Sequence, residues 1–187
     1  MALFEETDDG VRLMRETTYA SGSYPSLEAM LVTFLAPEPQ VSLRTCCLGV
    51  AGPVVNGQCR SVHLPWTLEE LALAHAIGAP NVKLLNDLEA AAYGVLHLHP
   101  HELHVLNPRH GVDRQGQTIA VIAAGAGLGE AILTWDGVQF RALATEGGHV
   151  SFAPNTEQEI ELLRYLRGKF DGHISFERVL SAAGIYN

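Results

Sequence analysis

The spacing of apolar residues divides the chain into short strands and amphipathic helices. Continuous apolar runs predict strands over 41–50, 82–85, 117–124, 130–135 and 138–143. Helical spacing predicts helices over 27–35, 68–76, 88–98 and 156–170, and the turn Asp9-Gly10 predicts an opening hairpin. This order predicts an α/β fold with two lobes and a cleft between them. The His-, Pro- and Gly-rich stretch 97–114 marks the connection, so we expect lobes over 1–105 and 106–187.

Composition and charge narrow the functional classes. The 187 residues are 47% apolar and 18% charged, which is typical of a globular protein. A net charge of −9 argues against a nucleic-acid-binding surface, because phosphate contacts need clustered Lys and Arg. No apolar run is long enough for a membrane span, and the first residues lack a basic secretory signal. The three cysteines are expected to be reduced thiols, so we expect a cytoplasmic protein.

Asn86 and Asp87 directly follow an apolar run and precede a predicted helix. This is where an open α/β sheet presents polar groups to a crevice. A carboxylate here can orient a sugar hydroxyl and accept its proton, so Asp87 is the candidate catalytic base. The alternative is that Asp87 only caps the helix that starts at Leu88, and the two roles can coexist. The amide of Asn86 can both donate and accept hydrogen bonds, which suits two adjacent hydroxyl groups. The alternative is that Asn86 is only a turn residue.

A second polar cluster, Glu146-Gly147-Gly148-His149, lies sixty residues farther along. Gly147 and Gly148 allow a tight backbone turn, so the carboxylate and imidazole on either side can converge on one ligand. Both side-chain types are suited to binding sugar hydroxyls. The alternative is a solvated turn with an incidental histidine.

A glycine-rich segment, Gly125-Ala126-Gly127-Leu128-Gly129, joins two predicted strands. Its backbone N–H groups can approach an anion closely, which favours a phosphate loop. A dinucleotide site is disfavoured, because that motif needs a following helix and a wider spacing. A base, hydroxyl-binding groups and a phosphate loop together indicate phosphoryl transfer to a polyol.

Four histidines, at positions 97, 99, 101 and 104, raise the alternative of a metal-binding module. Pro100 interrupts the run and Glu102 is the one nearby carboxylate. We therefore favour a polar surface connection and expect no metal site here.

These motifs make the chain similar to the bacterial ATP-dependent glucokinase family, within the sugar kinase–hsp70–actin superfamily. The resemblance runs through most of the chain. The blocks that carry it are Tyr24-Pro25-Ser26-Leu27-Glu28-Ala29, Leu64-Pro65-Trp66, Leu85-Asn86-Asp87, residues 125–129, Glu146 to Val150, Phe152-Ala153-Pro154-Asn155 and Arg178-Val179-Leu180-Ser181.

The resemblance implies a two-lobed, ribonuclease-H-like or actin-like ATPase fold and the reaction of ATP with glucose. It implies that Asp87 is the base for the 6-hydroxyl, that Asn86, Glu146 and His149 bind other hydroxyls, and that residues 125–129 meet the phosphates of ATP. Mg²⁺ is the expected metal partner of the nucleotide.

Departures from the family pattern imply an incomplete fold. The resemblance implies that the first strand, with its Asp-x-Gly-Gly-Thr turn, and the C-terminal half are missing. Ala126 stands where the family has threonine. We therefore expect a fragment with impaired ATP binding; the alternative is a non-catalytic sugar-binding or regulatory remnant. The absent first strand also predicts an exposed sheet edge and self-association into a homodimer.

Overall fold

The computed structural model describes residues 1–8, 10–61, 64–108 and 116–187. The chain forms two compact units, Met1–Asp87 and Leu88–Asn187. The first unit contains the strands and helices β1 (Ala2–Thr7), β2 (Gly10–Glu16), α1 (Leu27–Leu35), β3 (Cys46–Val50), β4 (Gln58–Arg60), β5 (Thr67–Glu69), α2 (Glu70–Ile77) and β6 (Val82–Asn86).

The strands of the first unit form three two-stranded pairs. The antiparallel pairing of β1 with β2 confirms the predicted opening hairpin, although Asp9 of its turn lies outside the described residues, and β4 pairs antiparallel with β5. Strands β3 and β6 are parallel, in a register that runs from Cys46 opposite Val82 to Val50 opposite Asn86. Because these strands are parallel, their carboxyl ends lie at one edge, and that edge carries Asn86.

Helix α1 packs its apolar stripe into the core of the first unit. Ser26 caps the helix, because its hydroxyl accepts a hydrogen bond from the N–H of Ala29 at 3.2 Å. The buried side chains of the core come from α1, α2, β4, β5, β6 and the segment before β5: Leu27, Met30, Leu31, Cys59, Trp66, Leu68, Leu73 and Leu84.

The predicted helix start at residue 68 is wrong. Thr67 to Glu69 form β5, and α2 begins at Glu70 with no side-chain cap from Glu69. The physical reason is tertiary: Leu68 lies opposite the buried Cys59 of β4, and this pairing outweighs the local helical spacing of apolar residues.

The second unit is built on a three-stranded antiparallel sheet in the order β7–β8–β9. Helix α3 (Asp87–Val95) begins at the last residue of the first unit and continues into the second. The other strands and helices of the second unit are β7 (Ile119–Ala124), β8 (Leu128–Trp135), β9 (Phe140–Thr145), α4 (Glu157–Lys169), α5 (Glu177–Leu180) and α6 (Ala182–Ile185). The predicted strands over 117–143 and the predicted helix over 156–170 are therefore confirmed, with ends displaced by a few residues.

Helix α3 covers one face of this sheet. Ala92 is buried against Ala131, Leu133 and Ala142, and the hydroxyl of Tyr93 accepts a hydrogen bond from the Ala142 N–H at 3.1 Å. This packing is why α3 belongs to the second unit and why the units divide after Asp87. The division after Asp87 differs from the expected lobes over 1–105 and 106–187. Those bounds were drawn from a change in composition, which carries no information on how α3 packs.

Local polar bonds fix the ends of two elements. Thr156 and Glu159 form a capping box at the start of α4, and bonds from the N–H groups of Asn155 and Thr156 lower the pKa of Glu159. At the β8–β9 turn, the N–H groups of Gln139 and Val138, together with Arg141, lower the pKa of Asp136 to about 2. Both carboxylates therefore stay ionised at neutral pH and hold their turns.

The sheet of the second unit depends on Leu133, whose side chain is 0% exposed, whereas its neighbour Ile132 is 36% exposed. We expect Leu133→Ala to lower the free energy of unfolding by about 2–5 kcal/mol, because it leaves a cavity among packed side chains. Ile132→Ala, in the same strand, is the matched control and should cost well under half as much. Urea denaturation followed by circular dichroism measures both, and equal losses would contradict this assignment of the core.

Within the part of the chain that the structure describes, no helix is both long and apolar enough to cross a membrane.

Candidate active site

Asn86 and Asp87 stand where the parallel strand pair ends and α3 begins. Asn86 is the last residue of β6, opposite Val50, and its amide nitrogen donates to the carbonyl of Gly52 at 3.3 Å. Asp87 is exposed at the first turn of α3. The side chain of Asp87 can therefore reach a ligand beyond the carboxyl end of the sheet while the helix start favours its negative charge.

The Glu146–His149 turn folds tightly against the start of β8. Gly147 to His149 form one turn of 3-10 helix, and Gly148 is buried. A Cβ atom on Gly148 would lie 2.0 Å from the carbonyl oxygen of Leu128, so only glycine fits there. The turn therefore brings two groups of predicted site residues, the turn itself and residues 125–129, into direct contact.

His149 lies between two carboxylates. Its Nδ1 atom is 3.1 Å from Oε2 of Glu146, and its Nε2 atom is 3.7 Å from Oε1 of Glu177. The backbone carbonyl of His149 accepts a hydrogen bond from Nε2 of His173 at 2.9 Å. The imidazole is about half exposed, so its two ring nitrogens can exchange these carboxylates for ligand hydroxyls.

Glu177 is a site residue that the sequence reasoning missed. Its side chain is 29% exposed, and its Oε2 atom accepts a hydrogen bond from the N–H of Leu128 at 2.9 Å. Its position is fixed by long-range backbone bonds, in which the N–H of Phe176 donates to Val150 at 3.0 Å and the N–H of Phe152 donates to Ile174 at 2.7 Å. The sequence signal that could have identified Glu177 is its position directly before residues 178–181, one of the blocks that carry the family resemblance.

Residues 125–127 form the turn between β7 and β8, and Leu128 and Gly129 begin β8, which agrees with the strand–loop–strand interpretation. The N–H of Gly125 donates to the carbonyl of Gly127 at 2.8 Å, and the Leu128 N–H is bonded to Glu177. Among the described hydrogen bonds, this leaves the N–H groups of Ala126 and Gly127 at the tip. A Cβ on Gly129 would lie 2.5 Å from the side chain of Leu88, so this glycine serves the packing of α3.

The structure thus brings Glu146, His149, Glu177 and residues 125–129 together within the second unit. Asn86 and Asp87 belong to the first unit. The arrangement in the second unit offers two carboxylates and an imidazole as acceptors and donors for hydroxyl groups, beside a loop whose tip presents N–H donors. Such a set can bind a polyol and hold a phosphate oxygen nearby.

Of the predicted connection over 97–114, residues 97–108 lie within the described part of the chain. The rings of His99 and His101 are stacked with centroids 5.5 Å apart, and Glu102 accepts a hydrogen bond from the His99 N–H at 2.8 Å. In the described ranges, no group of three or more His, Cys, Asp or Glu side chains is arranged to hold a metal ion.

This α/β fold matches actin-like ATPase-type folds of sugar kinases. A glucokinase from an Antarctic psychrotroph superimposes with a TM-score of 0.84 at 29% identity, over 98% of this chain and 57% of that one. The family model for glucokinase matches residues 1–187. The chain belongs to the glucokinase family.

Similarity to individual relatives is spread over nearly the whole chain. A glucokinase from a Nostoc species is 38% identical over 172 residues, which cover 91% of this chain and 50% of the relative. A glucokinase from Salmonella arizonae is 35% identical over 170 residues, covering 91% of this chain and 52% of the relative. The chain therefore spans about half the length of the curated relatives it matches.

The fold is also shared with more distant proteins. A glucokinase from Balamuthia mandrillaris, solved in complex with glucose, has a TM-score of 0.62 at 23% identity and covers 85% of this chain. At that identity the likeness concerns the fold alone.

Proposed function

We propose that this chain provides the hexose-binding part of a glucokinase, which converts ATP and D-glucose to ADP and glucose 6-phosphate. The observation that carries the proposal is the convergence of Glu146, Glu177 and His149, with the imidazole 3.1 and 3.7 Å from the two carboxylates. Each hydroxyl group of a sugar can donate one hydrogen bond and accept another. The two carboxylates can accept from neighbouring hydroxyls, and the imidazole nitrogens of His149 between them can donate or accept. Membership of the glucokinase family supports glucose as the sugar.

Asp87 is proposed as the base of the reaction. Its carboxylate orients the 6-hydroxyl and takes its proton while the oxygen forms a bond to the γ-phosphorus. The bond from that phosphorus to the β-bridging oxygen breaks, and ADP leaves. Asn86, fixed by its bond to the Gly52 carbonyl, would donate to or accept from a neighbouring hydroxyl.

The nucleotide would be held through the loop tip. The N–H groups of Ala126 and Gly127 would bind a phosphate oxygen, and the remaining residues of the loop shape the turn. Mg²⁺ bound to the phosphates would neutralise charge that develops on the transferred group. Because Leu128 already donates to Glu177 and Ala126 has no hydroxyl, we expect weak ATP binding by this chain.

That same shortage of donors favours a second candidate, a non-catalytic sugar-binding or regulatory remnant. Phosphoryl transfer relies on preorganised donors at the phosphates, and the loss of one such donor can cost about a hundredfold in rate. The two candidates share the sugar site and differ in the use of ATP.

Two measurements on the purified chain separate these candidates. Calorimetric titration with glucose tests the sugar site, and a coupled assay with glucose, ATP and Mg²⁺ tests turnover. We expect glucose binding and slow formation of glucose 6-phosphate that rises with ATP up to millimolar concentrations. Glucose binding without ATP binding or turnover supports the remnant, and failure to bind glucose overturns both candidates.

The setting of the protein is part of the proposal. We infer a cytoplasmic location, because free ATP and glucose are the proposed substrates and Cys46 and Cys59 are thiols outside any disulfide. Formation of a homodimer stays a prediction. Size-exclusion chromatography at several protein concentrations tests it.

A further inference from the structure

The segment 173–176, which follows α4, lies against residues 150–152, directly after the Glu146–His149 turn. An antiparallel bridge joins Ser151 to Ser175, and two backbone hydrogen bonds at 2.7 and 3.0 Å flank it. Ser175 is only 4% exposed. The segment is therefore held firmly beside the end of the turn.

His173 is the first residue of this segment, and its side chain reaches the turn itself. Its Nε2 atom donates a hydrogen bond to the backbone carbonyl of His149 at 2.9 Å. This carbonyl belongs to the last residue of a turn of 3-10 helix, where a carbonyl has no donor within the helix. Among the described hydrogen bonds, the donor to this carbonyl is the imidazole of His173. A side chain thus completes the end of the turn, as cationic and imidazole side chains do at other helix ends.

The backbone on both sides of His173 sets the direction of its side chain. Gly172 has a φ of +90°, a left-handed conformation that glycine adopts without strain, and it turns the chain after the end of α4. Ile174, on the other side, is 4% exposed and anchors the segment. The ring of His173 is therefore placed beside the carbonyl of His149 although His173 itself is exposed.

The donor role of His173 does not depend on the charge of its ring. A carbonyl oxygen can only accept, so the Nε2 atom of His173 must carry a proton. The neutral ring provides this proton in its Nε2–H tautomer, and the charged ring carries a proton on both nitrogens. His149 has a different task, because both of its ring nitrogens face carboxylates.

His149 is thus contacted at two points from one stretch of chain. His173 bonds its carbonyl, and Glu177, directly after the segment, lies 3.7 Å from its Nε2 atom. Because the carbonyl and the imidazole belong to the same residue, a shift of the carbonyl also moves the ring relative to Glu177. The bond from His173 therefore controls a distance within the candidate sugar site.

We propose that His173 is a positioning residue, whose hydrogen bond to the His149 carbonyl holds the imidazole of His149 in place beside Glu177. In this role His173 acts through His149 and not on the sugar itself. The consequence for glucose binding rests on the proposed function, whereas the consequence for the ring of His149 does not.

Two variants of His173 differ in where they place a donor. Glutamine carries its amide N–H groups about as far from the backbone as Nε2, whereas the shorter asparagine carries them near the position of Nδ1. We expect His173→Asn to weaken glucose binding about tenfold, the upper range for one net hydrogen bond, and His173→Gln to stay within about threefold of the unchanged chain. Calorimetric titration with glucose measures both.

The matched control is His75→Leu, which removes an exposed histidine of α2 in the first unit and should leave glucose affinity unchanged. A general loss of structure would weaken binding equally in both variants of His173. Equal losses in His173→Asn and His173→Gln, or no loss in either, would therefore overturn the proposal.

NMR spectra of the imidazole nitrogens test the contact without any sugar. They should show the Nε2–H tautomer for the neutral ring of His173. His173→Asn should shift the ring resonances of His149, whereas His173→Gln should leave them close to those of the unchanged chain. An Nδ1–H tautomer for His173, or unshifted His149 resonances in His173→Asn, would overturn the proposal. If the unchanged chain does not bind glucose, the proposed function fails, and these spectra still decide whether His173 positions His149.

Discussion

Replacing Gly148 with alanine weakens glucose binding by about a hundredfold, or 2–3 kcal/mol, the cost of overpacking a closely packed site. The new Cβ would lie 2.0 Å from the carbonyl oxygen and 3.0 Å from the carbonyl carbon of Leu128, which are backbone atoms at the start of β8. Neither atom can rotate away, so the Glu146–His149 turn must move. Its movement separates His149 from Glu177. Calorimetric titration of the variant with glucose measures the loss.

Gly147→Ala is the matched control for that prediction. Its Cβ would also lie 2.0 Å from another atom, but that atom is Oε2 of Glu130, at the end of a flexible side chain. The carboxylate can rotate, so we expect less than about a tenfold loss of affinity, since only a side chain must adjust. Urea denaturation of both variants checks that the second unit is still folded. Equal affinities for Gly148→Ala and the unchanged chain would contradict the contact between the turn and β8.

Replacing Asp87 with asparagine lowers the turnover of glucose and ATP by about 10²–10⁴-fold, the usual contribution of a positioned base. Asparagine has the same shape and still forms hydrogen bonds, but its amide cannot accept the hydroxyl proton. Glucose affinity should therefore change little while kcat falls. The coupled assay measures turnover, and calorimetry of the same sample measures binding.

A carboxylate elsewhere on α3 provides the control for Asp87. Glu89→Gln removes the same charge two residues farther along, away from the carboxyl end of β6. We expect its turnover to stay within about twofold, because position 89 is not part of the proposed site. An unchanged kcat in Asp87→Asn, or a loss of glucose binding as large as the loss of turnover, would assign Asp87 to helix capping or to binding instead.

Local sequence signals predicted those elements whose stability is decided locally. The helix predicted over 156–170 is α4, whose start is held by the capping box of Thr156 and Glu159, and the strands predicted over 130–135 and 138–143 are β8 and β9, joined by a turn at Asp136. Both depend on bonds between residues at most a few positions apart. The prediction that α2 starts at residue 68 is wrong because Leu68 pairs with Cys59 in the β4–β5 ladder. No local sequence pattern around Leu68 indicates that pairing.

The same distinction explains what sequence reasoning found of the candidate site. Glu146 and His149 are three residues apart across two glycines, so their approach is visible in the sequence itself. Glu177 joins them only because backbone bonds from Phe176 to Val150 and from Phe152 to Ile174 align two distant segments. Pairing over such a separation depends on the whole fold, which the local pattern does not encode.

The bond between Glu177 and the Leu128 amide has a consequence for redesign. One carboxylate oxygen of Glu177 faces the imidazole of His149, and the other accepts the hydrogen bond from Leu128 beside the β7–β8 turn. A movement of this side chain therefore affects both the imidazole and the turn. A substitution at position 177, made to alter the proposed hexose site, would therefore also disturb the loop that is proposed to bind the nucleotide. Position 146, with a side chain 80% exposed, can be varied without that penalty.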